Sequence, residues 1–91
     1  MGNLFQNALI WDKDDIVIGR CPATTDHMAL ALWLVPGAEY TTIFKGSRYD
    51  IYTKDTLSEK IREFERQSSH GEGERITEMS GEISLYEDYK L

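Results

Sequence analysis

The chain is poor in the residues that announce chemistry. It has 1 cysteine, Cys21, among 91 residues, so no intrachain disulfide can form. That excludes a disulfide-stapled scaffold and fits a reducing, cytoplasmic compartment. Prolines number 2 and histidines 2. No apolar run approaches the roughly 20 residues needed to span a bilayer as a helix. The start, Met1-Gly2-Asn3-Leu4-Phe5-Gln6, lacks the basic-then-apolar order of a secretory leader. Gln6 also stands where a myristoylation signal wants Ser or Thr. No basic stripe is present: the formal net charge is -6. Direct contact with nucleic-acid phosphates is therefore not expected. Acid is concentrated at the end, where Glu72, Glu74, Glu78, Glu82, Glu87 and Asp88 face only Arg75 and Lys90. Such a surface gives solubility or attracts a basic protein.

The segments that resemble catalytic or metal motifs fail on spacing. Cys21, Asp26 and His27 are close in sequence. A thiolate near a helix start with a histidine base is a known arrangement. Asp26 and His27 are chain neighbours, however, and point about 100° apart on a helix. No oxyanion-hole glycines accompany them. His70-Gly71-Glu72-Gly73-Glu74 has floppy spacing and no second imidazole for a metal. Asp12-Lys13-Asp14-Asp15 runs into Ile16-Val17-Ile18 instead of the glycine and distant Glu of a calcium loop. The expectation is no cofactor, no metal and no enzyme activity.

What is present is a well-punctuated fold. Gly46-Ser47 separates Tyr40–Lys45 from Arg48–Thr53, a two-residue hairpin loop of the type II′ kind. That register sets Phe44 opposite Tyr49, Thr42 opposite Ile51 and Tyr40 opposite Thr53, all on one face. The other face holds Thr41, Ile43, Asp50 and Tyr52, with Lys45 and Arg48 at the tip. It is mixed: either a half-solvated sheet face or a partner-binding face anchored by Ile43 and Tyr52 beside Arg48. Thr56-Leu57-Ser58-Glu59 fits a capping box for a helix ending near Gln67, with Leu57, Ile61 and Phe64 as its apolar stripe. Residues 68–74 read as a loop.

The first half follows the same plan. Leu9–Trp11 and Ile16–Ile18 flank the polar turn 12–15, and Gly19 marks a bulge or a close backbone approach. Thr24-Thr25-Asp26 caps the apolar run Met28–Val35, which reads as a helix or a buried strand, helix preferred. Pro36-Gly37 ends it. A third hairpin is expected from Arg75–Met79 and Glu82–Tyr86 around Ser80-Gly81.

These elements make one small α+β domain over residues 1–91: an antiparallel sheet of β-hairpins with two helices on one face. Residues 1–6 and 87–91 are expected to fray. Segment 28–35 is apolar all round, so either the sheet and loops sandwich it or it joins a homodimer. The leading functional expectation is non-catalytic protein–protein binding by an inhibitor, adaptor or small subunit. Small acidic proteins of this build include phage and mobile-element inhibitors of host machinery. The expected surface comprises Ile43, Arg48, Tyr52, Glu82, Tyr86, Glu87 and Asp88. The alternative is a binder of a nucleotide or small anionic metabolite, gripped by Tyr40, Tyr49, Tyr52, Tyr86 and Arg48.

Overall fold

The computed structural model describes residues 6–71 and 73–86. Five strands form one antiparallel sheet: β1 (Asn7–Trp11), β2 (Val17–Pro22), β3 (Tyr40–Lys45), β4 (Arg48–Thr53) and β5 (Ser84–Leu85), in the order β4-β3-β1-β2-β5. Among the described residues three helices accompany the sheet: α1 (Thr25–Leu34), α2 (Ser58–Ser69) and α3 (Glu74–Ser80). The class is α+β, with helices against one face of the sheet. Among the described residues, no helix is long and apolar enough to cross a membrane.

Each hairpin is closed by its turn chemistry. In the β1–β2 turn, the Asp12 carboxylate accepts from the Asp14 amide at 2.9 Å and from the Ile16 amide at 3.0 Å. The side chain thus replaces backbone partners that a turn leaves open. Asp15 takes a left-handed φ of 61°, which Asp tolerates better than most residues. In the β3–β4 turn, Gly46 has φ 62° and Ser47 is not left-handed, as a type II′ turn requires. The observed pairs Phe44–Tyr49, Thr42–Ile51 and Tyr40–Thr53 match the register read from the loop.

The first helix forms where its cap predicts. Thr24 Oγ1 accepts from the His27 amide at 2.9 Å, and Val35 before Pro36 turns to an extended ψ of 117°. Met28, Ala29, Leu30, Ala31 and Leu32 are all buried. Of the two expectations for 28–35, burial within the chain accounts for Met28–Leu32, while Leu34 stays exposed at 41% and Trp33 is partly buried. The sheet (β1, β2 and β3) lies on one side of α1, and α2 and α3 pack on it from elsewhere.

The third helix supplies part of that cover, and it overturns the third hairpin. Arg75–Met79 is helical, not a strand. Ile76 and Met79, spaced i and i+3, face the core, a helical rather than an alternating pattern. Only Ser84–Leu85 pair as a strand, against Gly19 and Arg20. Two expected bounds also move. Thr56 does not cap α2: its hydroxyl accepts from the Thr53 amide at 2.8 Å, and the helix begins at Ser58. The turn back to β4 takes the hydroxyl that the capping box needed. At the other end α2 continues to Ser69, beyond Gln67, and Gly71 follows with φ 80°. The stripe Leu57, Ile61, Phe64 does face the core.

Gly19 fulfils both parts of its expectation. The register slips between Ile10 and Trp11, leaving Ile18 as the extra, fully buried residue of a bulge. A Cβ on Gly19 would stand 2.5 Å from the Ser84 carbonyl oxygen. Strand β5 docks because that Cβ is missing. Gly19→Ala is expected to destabilise the protein by about 1–3 kcal/mol, the usual cost of overpacking. Chemical denaturation measures this, and hydrogen exchange should show the Tyr86 amide, which donates to Ile18 O at 3.0 Å, losing protection first.

Candidate functional site

The structure divides the sequence-predicted residues instead of gathering them. Ile43 is 3% exposed and belongs to the core, which corrects its place in the expected partner surface. Tyr52 lies on the same, helix-facing side of the sheet, partly buried against that core. Arg48 is exposed at the hairpin tip, where Nε donates to Asp50 Oδ1 at 3.1 Å. Glu82 meets His27 Nε2 at 2.5 Å, far from the tip in the fold's connectivity, and Thr24 Oγ1 meets the other ring nitrogen at 2.7 Å. Tyr86 follows β5 at the opposite sheet edge. Glu87 and Asp88 lie outside the described residues.

The surface that sequence reasoning missed is the other side of the sheet. Cross-strand partners share a face, so Leu9, Thr42 and Ile51 form one row and Trp11, Tyr40 and Thr53 the next. Phe44 and Tyr49 form a third. No described helix covers this face. Phe44 is 62% exposed, Ile51 55% and Tyr49 46%. The rings are ordered by one another: Phe44 and Tyr49 stand 4.8 Å apart at 55°, and Trp11 stacks on Tyr40 at 5.8 Å and 3°. Trp11 Nε1 donates to Thr42 Oγ1 at 2.8 Å, so the indole is fixed at both ends. The Tyr40 hydroxyl donates to Asp15 Oδ1 at 2.6 Å, a bond that raises its pKa to about 12 and keeps it protonated. The result is a rigid aromatic and aliphatic platform over β1, β3 and β4, bordered on β2 by the exposed Arg20, the cross-strand partner of Leu9.

The register named these residues as sharing a face but not which face the helices would choose. Side-chain size points the wrong way, since Phe44, Tyr49 and Ile51 look more core-like than Thr41 and Asp50.

The candidates for catalysis do not assemble. Cys21 faces the core opposite Ala8, 1% exposed, and burial raises its thiol pKa to about 12. A thiol so held is no nucleophile at neutral pH. Asp26 is occupied by Lys60 Nζ at 3.0 Å and Arg75 at 2.5 Å. Among the described residues no group of three or more His, Cys, Asp or Glu is placed to hold a metal. Tyr40 and Tyr49 lie on the open face, Arg48 and Tyr52 on the other, so they do not converge on one small ligand. Between α1 and α2 there is a groove of about 370 Å³, lined by residues that include Trp33, Ile61, Lys54 and Arg62. Comparison of the chain with protein-family models, curated proteins and solved structures finds no match.

Two outcomes test this description. Native protein at pH 8 should resist thiol alkylation, with Cys21 reacting at least about tenfold faster once denatured, as mass spectrometry would record. Partial burial pushes the Asp26 pKa up, but the hydrogen bonds and charges of Lys60 and Arg75 outweigh it, and the net shift is downward. A depressed carboxylate pKa stabilises the fold above its unfolded value, near pH 4, and the gain is lost as pH falls through the folded value. Asp26→Asn should therefore lower the melting temperature at pH 7, with the difference from wild type shrinking below about pH 4.

Proposed function

We propose that the protein acts by binding another protein, without catalysis, through the open face of its sheet. The observation that carries this reading is the exposed cluster of Phe44, Tyr49 and Ile51, continuous with the Trp11–Tyr40 stack. Rigid aromatic side chains bury large area at low entropic cost, which is why they dominate binding hot spots. An uncovered aromatic patch also costs solubility, a cost that a partner surface offsets. Over β3 and β4 the face is apolar, so the partner's contact surface there is apolar too, and Arg20 beside Leu9 leaves room for an acid at its border. The net charge of -6 acts outside that contact. It steers basic proteins toward the molecule and repels acidic ones. An inhibitor, adaptor or small subunit would work this way, and a mobile-element inhibitor of host machinery is one such role.

The residues proposed to make contact thus differ from those suggested by the sequence. Arg48 and Tyr52 project from the other side of the sheet, Glu82 is bonded to His27 at the start of α1, and Tyr86 follows β5 at the far edge.

The test is a double variant, Phe44→Ser with Ile51→Ser. Both side chains are exposed, so the change should cost the fold at most about 1 kcal/mol. Capture of the partner should fall at least about tenfold, since hot-spot truncations cost about 2 kcal/mol or more. A photo-crosslinking residue at position 44 should yield one discrete polypeptide other than the protein itself, and the same residue at position 63 on α2 should not. Undiminished capture by a folded double variant would overturn the assignment.

A further inference from the structure

Strand β4 is an edge strand, and nothing described covers it. In an antiparallel ladder the backbone groups of alternate residues point to the same side. Thr53 directs its amide away from β3, to Thr56 Oγ1 at 2.8 Å. Ile51 and Tyr49 therefore also present N–H and C=O groups outward, where no described strand meets them. β4 has no proline and no bulge, the usual guards of an exposed edge. Its side chains repeat a pattern, Arg48-Tyr49-Asp50-Ile51, with a cation and an anion on one face and apolar groups on the other.

We infer that β4 pairs antiparallel with β4 of a second copy, about a two-fold axis through Tyr49. Charge complementarity selects both the occupant and the register. Three registers match outward-facing residues with one another. Pairing Tyr49 with Ile51 of the second copy sets Asp50 against Asp50, a like-charge contact in the close, non-hydrogen-bonded position. Pairing Ile51 with Ile51 sets Tyr49 against Thr53, whose amide is already taken by Thr56. Pairing Tyr49 with Tyr49 places Arg48 opposite Asp50 of the second copy, and Asp50 opposite its Arg48. Both ion pairs form at once because a two-fold axis generates each from the other. Each Arg48 already points along the strand toward its own Asp50, so the charges are pre-positioned to share.

The same register sets the two Tyr49 rings side by side on the open face. The Phe44–Tyr49 pair of each copy then extends into a row of four rings. The joined sheet has ten strands, five from each copy, and presents one continuous aromatic platform. The pairing does not depend on the proposed protein binding: mass reads the dimer, and capture reads the face. It does add to that reading, because a dimer would offer two platforms to a partner, with the gain that bivalency brings.

Charge-swapped variants test the pairing by sedimentation. Wild-type protein should rise from monomer to dimer mass over roughly 1–500 µM, as mass action requires for a small interface. Arg48→Asp and Asp50→Arg should each weaken association at least about tenfold, because each sets like charges across both pairs. An equimolar mixture of the two variants should recover the dimer. One copy then carries acids at both paired positions and the other carries bases at both, so each cross-strand contact again joins opposite charges. Ile51→Pro, which removes an outward amide and spares the β3 ladder, should also leave monomer. A wild type that stays monomeric over the whole range would overturn the inference. So would a dimer indifferent to both charge variants, or a mixture of folded variants that fails to recover it.

Discussion

The structure depends on burying a helix that is apolar on all sides. Segment Met28–Leu32 has no polar side chain with which to face water, so one layer of cover is not enough. The sheet supplies one layer through β1, β2 and β3, and α2 and α3 supply another. That requirement explains features that look unrelated. Phe64 is the largest fully buried side chain, and it reaches the core from α2. Arg75 of α3 lies 5.4 Å from the Phe64 ring centre and also grips Asp26 at the start of α1. Lys60 of α2 holds the same carboxylate. One acidic side chain in the first turn of α1 thus gathers all three helices at their rim, where water still reaches the ions and each pair is worth little alone.

Drawing the described helices to one face leaves the other with no described helix over it. In a sheet whose two faces were both covered, Phe44 and Ile51 would be core residues. Here they are exposed, and their order comes from one another and from the ladder beneath them. The same arrangement leaves β4, among the described residues, without a strand on its outer side. An open apolar face beside an open edge is where association costs the fold least.

Much of the first two-thirds of the fold was legible in the chain. Gly46-Ser47 determined a register residue by residue because a two-residue turn permits only one. Thr24 and Pro36 bracketed α1 because each restricts the backbone locally. Local rules failed where tertiary contacts outbid them. Thr56 had the residues of a capping box, yet its hydroxyl served the turn at Thr53. Ser80-Gly81 looked like a hairpin loop, yet Ile76 and Met79 had a helical face that α1 needed. The candidate site was harder still. Which side of a hairpin meets the helices depends on how the hairpin joins β1, and the pairs Leu9–Thr42 and Ile10–Thr41 carry no local signal. Ile43 went to the core and Phe44 to the surface for that reason alone.

That junction has a kinetic side. The β1–β2 and β3–β4 hairpins each close over a few residues, so both form quickly and locally. Their strands pair through Leu9–Thr42, Ile10–Thr41 and Trp11–Tyr40, across a loop that contains the whole of α1. Closing that loop costs entropy before its contacts repay it. Joining the two hairpins thus closes a much longer loop than either turn does, along a strand seam three residue pairs long.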